Sequence, residues 1–254
     1  MCPDQRTLTS TSSTPPDSAP SAPPVDWDAL QARSWYARRG HRWLDRLLLV
    51  LLLPPAVPLM LLIAVGNTLV FRDPRRVFFF QPRVGWRGQP FTILKFRTME
   101  EAPCAMGSWS SGTDHLRVTR FGRFLRNTHL DELPQLFNIL AGDMSFIGPR
   151  PEMMEVEQWA EEHIPGFGER LAIRPGVAGL AQVTQGYTGR DLQAYAEKLE
   201  INRAYMRDMS LALDLSIVLR TIVWMVRGKG WSWSQGRVAH MPTGETDLPR
   251  SKAG

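Results

Sequence analysis

Two adjacent carboxylates, Asp131 and Glu132, stand directly before the apolar set Leu133, Leu136, Phe137 and Leu140. Neighbouring acids can supply a nucleophile or hold a hard divalent cation. A carboxylate is already ionised at pH 7, so it needs no separate base to attack an electrophile. The i, i+3, i+4, i+7 spacing behind the pair predicts one face of a short amphipathic helix. Pro134 is tolerated only in a first helical turn, which starts that helix near Leu130 or Asp131. Thr128, with Asp131 three residues on, offers a competing cap but would push Pro134 into the interior. Gly142 marks the stop. An acid pair near a helix N-terminus is most often simple dipole complementation, so the case for chemistry rests on what surrounds it.

What surrounds it is positive. Gly148-Pro149-Arg150-Pro151 follows, a backbone stiffened by two prolines and carrying one guanidinium. Upstream, Arg117, Arg120, Arg123 and Arg126 recur every three residues, with Arg126 nearest the acids. Residues 81–99 read as strand, turn and strand, and alternation puts Lys95 and Arg97 on one side of the second strand, which by itself marks only an ordinary solvated face. Acids ringed by fixed cations suit a substrate that brings its own negative charge and a metal. A helix over 118–126, with Phe121, Phe124 and Leu125 facing inward, would carry the arginine ladder.

With these motifs in hand, the chain resembles a family. His129-Leu130-Asp131-Glu132-Leu133-Pro134-Gln135-Leu136, Gly142-Asp143-Met144-Ser145 and Gly148-Pro149-Arg150-Pro151 look like the core signature of bacterial sugar transferases, the monotopic phosphoglycosyl transferases. Lys95-Phe96-Arg97-Thr98-Met99 and the run Arg174-Pro175-Gly176-Val177-Ala178-Gly179-Leu180-Ala181-Gln182-Val183 extend the likeness, which covers roughly residues 42–228. It implies transfer of a sugar 1-phosphate from a nucleotide sugar, expected to be a UDP-sugar, to polyprenyl (undecaprenyl) phosphate, with release of UMP. It also implies Asp131 as the nucleophile and an aspartyl-phosphosugar intermediate. Spacing alone would allow Glu132 instead. Glu132 would hold Mg²⁺ together with the diphosphate, and Lys95, Arg97, Arg126, Arg150 and Arg174 would bind phosphate. Such a step would initiate exopolysaccharide, capsule, O-antigen or glycoprotein glycan assembly. Two departures stand out: Gly186-Tyr187-Thr188-Gly189-Arg190-Asp191 where the family often has Gly-Arg-Asn, and Asn202 where an Asp usually precedes the tyrosine.

The elements that must position this chemistry include a membrane segment. No charged residue occurs from Leu47 to Phe71, enough apolar length to span a bilayer. Pro54, Pro55 and Pro58 fall in its middle, where they should bend or break a helix. Arg33, Arg38, Arg39, Arg42 and Arg46 precede the run, and Arg72, Arg75, Arg76 and Arg83 follow it. With both flanks positive, a helix that enters from the cytoplasm, bends and returns satisfies the positive-inside rule better than one that crosses. The family resemblance implies the same re-entrant helix.

The rest of the 254 residues fills in around this. Residues 1–32 are rich in Ser, Thr and Pro and read as a disordered tail without a secretory signal. Residues 33–76 form the re-entrant region, 77–236 the catalytic domain, and 237–254 a second tail. Residues 100–114 read as a mobile loop, and residues 152–162 as a helix with a plain acidic surface. Residues 214–226 form an apolar helix ending near Trp224, Arg227, Lys229, Trp231 and Trp233, a composition typical of a membrane interface.

The fold class is α+β and mostly helical, with a re-entrant N-terminal helix, a small β-hairpin and interfacial amphipathic helices around the site. The net charge of +5 would suit nucleic acid or an anionic membrane, but no nucleic-acid module is present. Cys2 and Cys104 make neither a disulfide framework nor a metal spacing. The expected location is the cytoplasmic face of a bacterial inner membrane, with lipid contacts and scope for homo-oligomers or assembly-complex partners. Two rivals use the same residues: a metal-dependent hydrolase of lipid-linked diphosphates, and a non-catalytic membrane scaffold.

Overall fold

The computed structural model describes residues 34–101, 114–186 and 189–226. The tail 1–32, both cysteines, most of the segment 100–114, the side chain of Trp224, and Arg227, Lys229, Trp231 and Trp233 lie outside the described residues. Those that are described are mostly helical, with two small two-stranded sheets.

A π-type turn, Tyr36–Gly40, leads into α1, His41–Phe71, of 31 residues. At 1.5 Å per residue α1 is about 46 Å long. It is long and apolar enough to cross a membrane by length and composition. One stripe, including Asp45, Leu49, Ala56, Met60, Ile63 and Asn67, packs on the rest of the chain. The other sides leave Leu47, Val50, Leu51, Leu61, Leu62 and Leu69 bare, which a core helix of a soluble protein would hide.

The three prolines do not end the helix as the sequence suggested they could: α1 continues through Pro54, Pro55 and Pro58. Proline's fixed φ is itself helical, so the backbone path survives. Only the bonds to the carbonyls of Val50, Leu51 and Pro54, four residues back, are lost. The helix is weakened there rather than terminated.

A tight turn at Asp73–Arg76 passes the chain to β1, Phe78–Val84, which pairs antiparallel with β2, Pro90–Phe96, in the register Phe79 opposite Lys95 and Val84 opposite Pro90. Buried Asn67 of α1 donates to the carbonyls of Val77 and Arg97, each at 3.0 Å, and so ties the helix to the base of this hairpin. Helix α2, Arg120–Thr128, is capped by Thr119, whose hydroxyl accepts from Gly122 N at 2.8 Å. Leu125 is fully buried and Phe121 packs against the core, but Phe124 faces outward, contrary to the sequence expectation.

Helix α3, Gln135–Ala141, closes on Gly142 in the left-handed conformation. Asn138 holds α3 against β2 through Leu94 N at 3.0 Å and Thr92 O at 2.8 Å. Strand β3, Ser145–Ile147, runs parallel to β4, Gly176–Ala178. Helices α4 (Met154–His163), α5 (Leu180–Thr184), α6 (Leu192–Arg207) and α7 (Leu211–Val226) follow, with a 3₁₀ segment, Phe167–Ala172, between α4 and β4 and a single helical turn, Asp114–Arg117, ahead of α2.

One apolar core joins α1, the hairpin, α2 and α3, and a second joins β3 to α6 and α7. Phe146 packs against both. The segment 152–162 is not the plain acidic surface that its sequence suggests. Glu152 and Glu157 are buried, paired with Lys198 and Arg170 respectively.

Candidate active site

The acid pair does not open an α-helix. Helix α2 stops at His129, which takes a left-handed conformation (φ 56°), and Leu130–Glu132 then form a 3₁₀ turn. Pro134 precedes α3 as its N-cap rather than occupying its first turn. With no N–H to give, Pro134 cannot extend the pattern from Leu130, so the chain tightens through Leu133 N to Leu130 O (3.3 Å) and restarts as a helix only at Gln135. The acids therefore project from a short turn wedged between α2, α3 and β2.

Lys95 of β2 reaches Glu132 Oε1 at 2.5 Å, and Arg150 reaches the same oxygen at 3.5 Å. The Asn138 bonds between α3 and β2 set that approach. Burial alone would raise the Glu132 pKa, but Lys95 and Arg150 outweigh it and hold the carboxyl down at about 2. Asp131 goes the other way. Burial and the neighbouring Glu132 charge push it up to about 6, with only partial relief from Lys95 and Arg126. Among the described residues Asp131 takes part in no ion pair. The site thus contains one carboxylate locked by cations and another, unlocked, beside it. The locked one anchors charge; the unlocked one is the better nucleophile.

The remaining candidates divide. Arg126 bonds Thr98 Oγ1 through Nε at 2.9 Å and exerts its charge on Asp131. A side chain at Gly122 could not fit there, since its Cβ would lie 2.1 Å from the Thr98 carbonyl. That closeness brings α2, and Arg126 with it, against the end of β2. Arg97 turns instead to Glu101, at 3.5 Å. Arg174 does not join the acids: its Nε donates to Gly142 O at 2.7 Å and its guanidinium lies over Trp86, 4.8 Å from the ring centroid. There it fastens the α3 terminus to the hairpin tip. Asn202 is buried within α6, and no contact links it to Asp131 or Glu132.

A cavity of about 590 Å³ opens beside Glu132. Leu48, Leu52 and Ala56 of α1 form one wall, Val218 and Ile222 of α7 another, and His129, Glu132 and Arg150 its polar end. Burial lowers the His129 pKa, which keeps the imidazole neutral near pH 7. The sequence reading missed this cavity because its walls come from the two ends of the chain.

It also missed a buried polar network behind the cavity. Ser145 Oγ lies 2.8 Å from Asp45 Oδ1 and 2.8 Å from His41 Nε2. His41 Nδ1 meets Asp214 at 2.8 Å, and Asp214 also accepts from Tyr36 at 2.5 Å and from Tyr205 at 2.9 Å. Asp45 further accepts from Phe146 N at 3.0 Å. The network bolts the start of α1 to β3, α6 and α7. Single polar residues spread from Tyr36 to Asp214 leave no pattern that a local reading could find.

No group of three His, Cys, Asp or Glu side chains able to cage a metal occurs among the described residues. The acids nevertheless fit Mg²⁺, which commonly takes one or two carboxylates and completes its shell with substrate phosphates and water. Both cationic contacts to Glu132 use Oε1, so Oε2 is the atom that would hold it.

Comparison with known proteins gives the chemistry a context. The family described as bacterial sugar transferase matches residues 36–228. A UDP-N-acetylgalactosamine-undecaprenyl-phosphate N-acetylgalactosaminephosphotransferase of Aeromonas hydrophila is 40% identical over 189 residues, covering 74% of this chain and 44% of that protein. UDP-glucose:undecaprenyl-phosphate glucose-1-phosphate transferases are similar too. That of Xanthomonas campestris pv. campestris is 39% identical, over 70% of this chain and 37% of its own length, and that of Caulobacter vibrioides 41% identical, over 71% and 67%. The chain therefore spans less than half the length of the first two.

Proposed function

Since the chain belongs to the bacterial sugar transferase family, we propose that it is a phosphoglycosyl transferase that moves a sugar 1-phosphate from a UDP-sugar to undecaprenyl phosphate. The observation that carries this reading is a cation-locked Glu132 at the polar end of an apolar cavity, with the unlocked Asp131 next to it in the chain. A water-soluble donor can meet the cations, and a prenyl tail can lie along the apolar walls.

In this mechanism an Asp131 carboxylate oxygen attacks the phosphorus that bears the sugar. The bond from that phosphorus to the bridging oxygen breaks, and the oxygen leaves with UMP. The sugar phosphate is then held as a mixed anhydride on Asp131. A phosphate oxygen of the lipid next attacks the same phosphorus, and Asp131 leaves again as a carboxylate. Lys95 and Arg150 hold Glu132 and stabilise charge on the phosphoryl oxygens, and Arg126 adds its field at Asp131. Mg²⁺ held by Glu132 would neutralise diphosphate charge. The raised Asp131 pKa makes it a stronger nucleophile than an ordinary carboxylate while leaving most of it ionised at pH 7.

The bare leucine sides of α1 and the exposed Leu215, Leu219 and Ile222 of α7 support a location at the membrane. In the proposed pose α1 dips into the cytoplasmic leaflet and returns, and α7 lies in the interface beside it. The relatives' names differ in the sugar they transfer, so the donor is found by experiment. Purified protein with Mg²⁺ is given a panel of UDP-sugars. The reading expects a burst of UMP no larger than one equivalent without lipid, label on Asp131 after digestion, and steady turnover once undecaprenyl phosphate is added. Steady UMP release into water alone would favour the hydrolase, and label on no residue of the pair would end the covalent mechanism.

A further inference from the structure

Arg150 can serve the acids only if its backbone is fixed, and the fixing is unusually complete. Four consecutive carbonyls are held from three parts of the fold, β1, the Arg170 turn and β4. Pro149 O accepts from Gly176 N at 2.9 Å, and Glu152 O from Val84 N at 3.0 Å. Between them, Arg150 O accepts from Arg170 at 2.9 Å and Pro151 O from Arg83 at 3.1 Å. Pro149 and Pro151 have no N–H, so this stretch is located largely by what its oxygens receive.

The two central donors are charged and sequestered. Arg170 is 1% exposed, and its other terminal nitrogen pairs with buried Glu157. Arg83 is half-buried and bonds Gln81 Oε1 at 2.6 Å. Burial lowers its pKa to about 10, so it stays charged at neutral pH. A guanidinium needs a reason to be spent on a neutral carbonyl when water would solvate it better. Here both point at the two residues that aim a third guanidinium at Glu132.

We infer that Arg83 and Arg170 are positioning residues that clamp the Arg150–Pro151 backbone and so set the direction of the Arg150 side chain toward Glu132. Both act through the Arg150–Pro151 backbone, and Arg83 adds a direct charge interaction with Arg150, Glu152 and Glu132. The inference rests on the transferase reading for its assay but not for its geometry.

Arg83 is the residue to test, because its bonded partners, Pro151 O and Gln81, are neutral and its removal strands no partner in an ion pair. Arg83→Lys, which keeps the charge but not the fork that spans Pro151 O and Gln81, and Arg83→Gln are made in the full chain and again in an Arg150→Ala background, forming a double-mutant cycle. In the parent, kcat for UMP release should fall on the order of a hundredfold, as expected when a charged group is misplaced by about an ångström. KM for the donor should move far less. In the Arg150→Ala background the same substitutions should cost less than about threefold.

Equal losses in both backgrounds would overturn the clamp, as would no loss in the parent, because a merely structural role is additive. The cycle is repeated on calorimetric binding of Mg²⁺-pyrophosphate, which needs no turnover. Non-additive binding supports the clamp even if every UDP-sugar fails as a donor, and additive binding rejects it. Donor failure by itself counts against the proposed activity instead.

Discussion

Replacing Asp131 with asparagine keeps the shape of the side chain and removes its charge, and the structure gives a sign and a size for the consequence. Burial and the Glu132 charge raise the carboxyl from 3.8 to about 6. Below pH 3.8 it is protonated in both folded and unfolded chains, and its charge affects neither. As pH rises from there to about 6, the unfolded chain releases its proton while the folded chain keeps it, so folding loses ground. Above about 6 the deficit is complete. At about 1.4 kcal/mol for each pH unit between the two values, it reaches at most about 3 kcal/mol. Water at the part-exposed carboxyl screens some of this.

Asp131→Asn should therefore stabilise the protein at pH 7.5, raising Tm by several degrees at roughly 2–4 °C per kcal/mol for a chain of this size. Melting curves of both proteins in detergent from pH 4 to 8 provide the assay. The gap in Tm should be near zero at pH 4, open between pH 4 and 6, and stay level above that. Glu132 contributes with the opposite sign, stability lost as pH falls from 4.5 toward 2, which touches only the acid edge of that window and is shared by both proteins. A variant no more stable than the parent at pH 7.5, or a gap already full at pH 4, would refute the argument that the fold holds this acid at a cost.

Two further outcomes follow from the cavity and the network. Ala56→Trp or Ile222→Trp should fill the space between α1 and α7, slowing transfer to undecaprenyl phosphate at least tenfold while leaving the label on Asp131 unchanged. Half-reactions followed separately with labelled donor decide it, and equal loss in both would refute a lipid-specific role. Ser145→Ala removes the hydroxyl between His41 and Asp45 and should cost about 1–3 kcal/mol, as buried groups lose a partner. Hydrogen exchange should show it first at the start of α1, and uniform loss across the chain would argue against the network as that helix's anchor.

What the sequence disclosed was local. Gly142 as a helix stop, the hairpin around Arg87 and Gly88 and the rigid run around Arg150 all follow from turn chemistry within a few residues, whereas a place for Lys95 near the acids comes from the family resemblance and not from alternation. The misreadings arose where a distant partner decides the outcome. Glu157 reads as surface because Arg170 lies beyond the next turn, and Glu152 because Lys198 comes from α6. Pro134 permits two helix starts by rule, and the tightened turn at Leu130 excludes both.

The proposed pose of α1 can be argued from its two anchors. Asp45 bonds Ser145 near one end, and Asn67 bonds the Val77 and Arg97 carbonyls near the other. At 1.5 Å per residue these anchors are about 33 Å apart, close to the thickness of the hydrocarbon core. An upright crossing helix would set them on opposite faces of the bilayer. Yet their partners belong to one folded unit, since Asn138 ties β2 to α3 and α3 leads straight into β3. That unit carries Arg42 and Asp143 at one end and Arg72, Arg75 and Arg97 at the other, charges that cost several kcal/mol each in hydrocarbon. Both anchors are cheapest on the polar side, which leaves the middle of α1 to go deepest. Pro54, Pro55 and Pro58 straddle the midpoint between the anchors, where lost helical bonds make bending easiest. Pro55 and Ala56 also line the cavity that ends at Glu132. A prenyl chain in the leaflet would then meet the deepest part of α1 first and be led along that wall toward the acids.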